Sequence, residues 1–175
     1  MWCSSWPPPG HYQLSNNAER DIDLDTETWK VVSRPGQRGT AAGGGQSAPI
    51  FFTIDEDINR DTWNRLALQW FRGINSVLGV QRTGVYGGIN VCQWAAADGV
   101  IGSSSTAGRR WAWQTRAWSG NQVDAATVLY QRVVSTASNP GPLVGGLEVD
   151  VNDVLAPDCG QWNLHSWGQP NRNVQ

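Results

Sequence analysis

The pattern of apolar and polar positions divides the chain near residue 48. Apolar periodicity is weak over residues 1–47, which contain a proline run at 7–9 and a glycine-rich run at 36–45, so we expect an irregular arm there. From residue 48 onward, short apolar runs alternate with amphipathic stretches. We therefore predict one folded domain over residues 48–160 and a tail over 161–175.

Four segments of this domain have the composition of β-strands, and an amphipathic stretch follows the first. Apolar residues recur at three- and four-residue steps from Trp63 to Leu78, with Asn59 or Asp61 as the candidate cap and Gly79 as the stop. This spacing predicts a helix. The predicted strands are rich in β-branched and aromatic residues and cover residues 50–55, 83–87, 110–116 and 145–151.

Two further segments complete the predicted order. Residues 89–98 fit a helix that ends at Gly99. Residues 123–134 fit either a helix or a strand, and periodicity alone does not separate the two. The early alternation of strands and helices indicates an α/β fold with a parallel sheet, in which functional residues collect at the carboxyl ends of the strands.

Composition and charge exclude several classes of function. The chain has 175 residues and a net charge of −2, which gives no basic footprint for nucleic acid or an anionic membrane. No apolar run approaches the ~18 residues that span a bilayer, and we expect no signal peptide in the first ten residues. Cysteine and histidine lack the spacing of metal ligands, so we expect no metal and no cofactor.

Tryptophan is unusually abundant, with eleven residues. Core packing explains any single tryptophan more readily than a binding role does. Flat indole rings also stack on sugar rings, because their faces are apolar and their N–H can still reach a partner. A carbohydrate-binding cleft is therefore the sharper of two hypotheses.

Acidic side chains follow the predicted strands at the expected functional edge. Asp55 and Asp57 come at the end of the first strand and Asp150 near the end of the last, so in a curled sheet the three would converge. Glycoside hydrolysis uses two carboxyl groups, one to protonate the leaving oxygen and one as base, nucleophile or stabiliser. The alternative is that Asp55 and Asp57 only cap the following helix, and spacing does not decide between the two.

Several motifs, in order, resemble the actinobacterial glycoside-hydrolase-like domain family over residues 48–160. They are IFFTIDEDIN, WFRGINSVLG, TGVYGGIN, RRWAWQTRAWSG, LYQRV and GLEVDVNDVLA. That family is similar in turn to the family-25 lysozymes, which cleave peptidoglycan. The resemblance implies a partial TIM-like (β/α) barrel and makes the ambiguous segment a strand. Its fourth to eighth strands would lie at 50–55, 83–87, 110–116, 127–134 and 145–151.

The resemblance also implies a set of site residues. The acid would be Asp57, at a position where the lysozymes usually carry glutamate. The catalytic carboxyl groups would be Asp55, Asp57 and Asp150, and the substrate-binding residues would be Tyr86, Gln114, Trp118 and Asn152.

Three functions follow from this resemblance. The chain could cleave a peptidoglycan-type cell-wall glycan, bind such a glycan without cleaving it, or be an inactive truncated relative, because residues 1–47 are too few for three strand–helix units of roughly 30 residues each. A partial barrel would leave sheet edges open, so self-association is expected. The expected partner is a cell-wall polysaccharide, with no nucleic acid and no membrane span, and the resemblance suggests a secreted or cell-wall location.

Overall fold

A computed structural model of the chain describes residues 11–14, 18–23 and 47–161. His11–Leu14 (β1) and Ala18–Asp23 (β2) form an antiparallel pair. Part of the stretch that the sequence predicts to be irregular therefore forms strands. The boundaries 1–47, 48–160 and 161–175 remain predictions.

Seven more strands lie between residues 47 and 161, and five of them form one sheet. The seven are β3 (Ile50–Thr53), β4 (Thr83–Gly87), β5 (Ala112–Thr115), β6 (Leu129–Val133), β7 (Leu143–Val144), β8 (Leu147–Glu148) and β9 (Val151–Val154). The sheet has the order β3-β4-β5-β6-β9, and β7 pairs with β8 in a separate hairpin. The segment that could be helix or strand is thus a strand, as the resemblance implies.

Strand direction changes once across this sheet. The pairs from β3 to β6 are parallel, and β9 runs antiparallel to β6. The mixed α/β class with a mostly parallel sheet is confirmed, whereas the partial TIM-like (β/α) barrel stays a prediction. The expected strand at 145–151 is wrong in its bounds, because Gly145 and Gly146 adopt positive φ angles of 59° and 83° and turn the chain into the β7–β8 hairpin.

Two helices connect the first three strands of the sheet. Helix α1 runs without a break through Arg60–Thr62, a π-helical stretch at Trp63–Ala67, and Leu68–Leu78. Its predicted ends are confirmed, because the Asn59 side chain accepts from the Thr62 N–H at 2.9 Å and Gly79 has a φ of 81°. A short 3₁₀ turn, Val80–Arg82, precedes β4, and Ile89–Ala97 forms α2. Among the described residues, no helix is long and apolar enough to cross a membrane.

The two faces of the sheet have different neighbours because side chains alternate along each strand. Phe52 and Ile54 point toward the helices and are buried with Phe71 and Ile74 of α1. Phe51, Tyr86 and Trp113 occupy the other face, where their rings meet edge to face. The carboxyl ends of the parallel strands lie together at one end of the sheet, which we call the carboxyl edge.

Candidate functional site

Asp55 emerges from the carboxyl end of β3. The Ile54 N–H donates to the Tyr86 carbonyl at 2.8 Å, so the ladder with β4 holds the chain up to the residue before Asp55. The side chain of Asp55 is half-buried. Burial, followed by the charge of Asp150, raises the pKa of Asp55 above its ordinary value. Asp55 therefore keeps its proton to a higher pH than an ordinary aspartate does.

Asp150 reaches the same edge from the opposite direction. It directly precedes β9, and because β9 is antiparallel to β6, the start of β9 lies beside the carboxyl ends of the parallel strands. One carboxylate oxygen, Oδ2, accepts from Gln131 Nε2 at 2.7 Å, and the other, Oδ1, accepts from the Ser135 N–H at 2.7 Å. The structure thus places Asp150 close enough for its charge to act on Asp55, although Asp150 precedes its strand and does not end it.

Tyr86 lies next to both carboxyl groups and is buried. Its hydroxyl donates to Gln131 Oε1 at 2.6 Å, and its ring meets Trp113 with centroids 5.3 Å apart. Burial is the main cause that raises the pKa of Tyr86 to about 12, with smaller contributions from the charges of Asp55 and Asp150. The hydroxyl therefore stays neutral and remains a donor at physiological pH.

Asn152 belongs to the same face through Trp113. The indole Nε1 of Trp113 donates to Asn152 Oδ1 at 2.7 Å, and Asn152 pairs with Gln131 across β6 and β9. Tyr86, Trp113 and Asn152 therefore form a continuous aromatic and amide surface beside the carboxyl pair.

Asp57 differs from Asp55 in its surroundings. Strand β3 ends at Thr53, the chain bends at Glu56, and Asp57 is exposed. Strand alternation therefore does not place Asp55 and Asp57 on one face. Helix α1 is capped by Asn59, so the capping role that the sequence left open for the two aspartates is not theirs.

Gln114 lies on the helix-facing side of the sheet and not beside the carboxyl pair. Its fully buried amide accepts from the Asp124 N–H at 2.9 Å through Oε1 and donates to the Gln122 carbonyl at 2.7 Å through Nε2. These bonds hold the loop after β5 in place. A direct contact between Gln114 and substrate remains a prediction, and its placement favours a structural role.

Trp118 is the exposed tryptophan among the six that the structure describes, with 41% of its surface accessible. It has a left-handed backbone (φ 57°), a conformation that costs roughly 1–2 kcal/mol in a residue other than glycine. Its loop is fixed by Ser119, whose hydroxyl donates to the Thr115 carbonyl at 2.6 Å and accepts from the Ile89 N–H at 3.0 Å. The indole is thus held on a fixed loop next to the carboxyl edge.

The residues that connect the site, and that the sequence analysis did not predict, are Gln131, Thr115 and Ser135. Gln131 bonds to Tyr86, Thr115 and Asp150, while Ser135 binds Asp150 through its backbone. The available signal was a glutamine inside the apolar strand motif LYQRV, because a polar residue buried in a strand needs partners.

A mostly parallel α/β sheet with converging carboxyl groups at its carboxyl edge is typical of a glycoside hydrolase-like domain. The family described as "Rv2525c-like, glycoside hydrolase-like domain" matches residues 35–154 of this chain. The chain belongs to that family.

Relatives of known name agree with this assignment. The chain is 36% identical over 124 residues, 70% of its length and 46% of the relative's, to "Putative peptidoglycan hydrolase Rv2525c" of Mycobacterium tuberculosis (strain ATCC 25618 / H37Rv). It is also similar to two crystal structures of the Tat-secreted M. tuberculosis protein Rv2525c, a complex with L-tartrate (TM-score 0.62, 34% identity) and one with HEPES (TM-score 0.60, 35% identity). In each case 73% of this chain and 56% of the other are covered, so the chain spans about half the length of these relatives.

Proposed function

We propose that this chain acts on a peptidoglycan-type cell-wall glycan and hydrolyses its glycosidic bonds at the carboxyl edge of the sheet. One observation carries the proposal: the half-buried Asp55, with its raised pKa, lies beside an Asp150 carboxylate that two N–H groups hold. Glycoside hydrolysis needs such a pair, one carboxyl group that keeps a proton and one that stays charged.

Each member of the pair has a step in the proposed reaction. Asp55 donates its proton to the leaving oxygen as the bond from that oxygen to the anomeric carbon breaks. Asp150 stabilises the positive charge that develops on the sugar. Water then adds a hydroxyl group to the anomeric carbon, and its remaining proton restores Asp55.

Asp57 is the second candidate for the acid. The resemblance assigned it that role, and it lies at the same edge as Asp55. We place the proton on Asp55 because Asp55 is half-buried with a raised pKa, whereas Asp57 is exposed. Variants of the two residues distinguish these assignments.

The test measures the release of reducing ends from purified peptidoglycan. We expect Asp55→Asn to lower the rate by about 10²–10⁴-fold, the usual contribution of a general acid, and Asp57→Asn to have a smaller effect. Asp61→Asn is the matched control, because Asp61 is an exposed aspartate that pairs with Arg65 on α1. A wild-type chain that releases no reducing ends, or an Asp55→Asn chain as active as wild type, would contradict the catalytic proposal.

A glycan-binding function without cleavage is the second candidate, and Trp118 supports it. The indole of Trp118 is exposed, its backbone is held in a left-handed conformation, and its apolar face can stack on a sugar ring. Titration with muropeptides should then quench tryptophan fluorescence in a saturable way without turnover, and Trp118→Ala should remove most of that change. If no glycan gives a response, the binding proposal fails too.

A further inference from the structure

Gln131 joins the aromatic side of the site to its acidic side. Its Oε1 accepts from the Tyr86 hydroxyl at 2.6 Å and from Thr115 Oγ1 at 2.8 Å. Its Nε2 donates to Asp150 Oδ2 at 2.7 Å. The residue is 2% exposed, so these protein contacts replace water around the amide.

The hydrogen bonds around this amide set which of its ends faces Asp150. The Ala117 N–H donates to Thr115 Oγ1 at 3.2 Å, and a backbone N–H can only donate. That leaves the Thr115 hydroxyl proton free for Gln131, and the hydroxyls of Thr115 and Tyr86 both donate to Gln131 Oε1. The NH₂ group of Gln131 consequently faces Asp150.

Both oxygens of Asp150 are therefore acceptors. Oδ2 accepts from Gln131 and Oδ1 accepts from the Ser135 N–H. Two N–H donors favour the charged carboxylate, because protonation would weaken one of the oxygens as an acceptor. Between the two carboxyl groups, the proton is left to Asp55.

We propose that Gln131 is a positioning residue that keeps Asp150 as the charged member of the pair and Asp55 as the member that carries the proton. Its amide N–H does this directly, and the hydroxyls of Tyr86 and Thr115 prevent the amide from turning over. The catalytic consequence rests on the proposed function, but the arrangement of protons does not and can be measured without substrate.

Replacing the amide by a carboxyl group tests this arrangement. In Gln131→Glu, the new side chain can still accept from Tyr86 and Thr115, but it can face Asp150 only by keeping a proton. We expect this variant to gain less than half a negative charge near pH 6, where an ordinary glutamate with a pKa of about 4.3 is ionised. Capillary electrophoresis of the folded chain measures the gain.

Gln93→Glu is the matched control. Gln93 Nε2 also donates to an aspartate, Asp124 Oδ2, at 2.7 Å, but this bond lies on the exposed surface. Water can solvate a carboxylate there, so we expect Gln93→Glu to gain a full negative charge near pH 6. A full charge gain in Gln131→Glu as well would overturn the proposal.

A second substitution separates the role of Asp150 from simple burial. Adding Asp150→Asn to Gln131→Glu supplies an amide that can donate to the introduced carboxylate, so the double variant should release the retained proton. Retention of the proton in the single and the double variant alike would mean that burial alone explains it, and would also overturn the proposal.

NMR of the otherwise unaltered chain keeps the test independent of how Gln131→Glu folds. One side-chain N–H resonance of Gln131 should shift downfield and move when Asp150→Asn is introduced, while the Gln93 amide stays unchanged. A Gln131 amide that does not respond to Asp150→Asn would refute the contact.

The catalytic consequence is measured separately. If the domain cleaves glycan, Gln131→Met should lower kcat at least tenfold and leave KM within about twofold, because the buried amide contacts Asp150 and not the substrate. An unchanged kcat would overturn the catalytic role of Gln131 alone. A wild-type chain without turnover would count against the proposed function, and the charge and NMR results would still decide the proton arrangement.

Discussion

Replacing Tyr86 by phenylalanine removes one hydroxyl from the network and leaves the ring in place. That hydroxyl donates to Gln131 Oε1 at 2.6 Å, and the ring keeps its edge contact with Trp113 at 5.3 Å. Gln131 Oε1 still accepts from Thr115 at 2.8 Å, so it is not left without a donor. An internal hydrogen bond contributes about 1 kcal/mol net, and we expect Tyr86→Phe to lower the free energy of unfolding by about that amount.

Thr115→Val provides the comparison that makes this prediction sharp. The Thr115 hydroxyl donates to Gln131 and also accepts from the Ala117 N–H at 3.2 Å. Valine has nearly the same shape but leaves that backbone N–H without its acceptor, which costs about 1–3 kcal/mol when the group is buried. Thr115→Val should therefore destabilise the chain more than Tyr86→Phe does.

Urea unfolding at pH 7, followed by tryptophan fluorescence, measures both free energies. Thr115→Ser loses the methyl group but keeps the hydroxyl, so it should stay closer to wild type than Thr115→Val. Equal losses for Tyr86→Phe and Thr115→Val, or a larger loss for Tyr86→Phe, would refute the assignment of donors and acceptors around Gln131.

Three further predictions follow from other features. Burial and Asp150 raise the pKa of Asp55 in the folded state, so the contribution of Asp55 to stability is present below its ordinary pKa and is lost as pH rises through the folded value. Asp55→Asn should reduce that loss and unfold at a higher temperature than wild type at pH 7 in calorimetry. A lower unfolding temperature would contradict this. Gly141→Ala would place a Cβ against the Val149 carbonyl, so it should displace the segment before Asp150 and destabilise the chain by urea unfolding, unlike Gly145→Asn at an open turn. The edge strands β3 and β9 should support self-association, detected by sedimentation as a concentration-dependent mass; a constant monomer mass would count against it.

Local sequence patterns predicted the elements that depend on neighbouring residues. The run from Ile50 is apolar and rich in β-formers, and helix α1 has its predicted cap at Asn59 and stop at Gly79. Such signals involve a few residues each, so one sequence contains them. The π-helical stretch at Trp63–Ala67 has no comparable local signal in the sequence, and in the fold Trp63 packs there against Phe71 and Trp94.

Long-range relations account for what the sequence could not predict. Apolar and polar residues alternate from Leu147 to Asn152, across the end of the hairpin and the start of β9, so the pattern did not determine where the last strand begins. Alternation also carries no information on strand direction. Gln131 was missed because its role depends on Tyr86, Thr115 and Asp150, which are 45, 16 and 19 residues away. The motifs nevertheless predicted Asp55, Tyr86 and Asp150 together. Asp55 and Tyr86 belong to neighbouring parallel strands, and the antiparallel β9 begins where those strands end.

The segments that carry the two carboxyl groups differ in local stability, because Asp150 precedes an antiparallel strand and Asp55 follows a parallel one. Asp55 follows β3, which is hydrogen-bonded to β4 in the parallel part of the sheet. Asp150 lies at the end of the segment between β6 and β9, which contains the exposed β7–β8 hairpin. Segments with few buried apolar contacts open before the rest of a domain unfolds. On heating, Asp150 should therefore leave Asp55 while the sheet is still folded, so that any glycan chemistry of the pair would stop at a temperature below the melting of the domain.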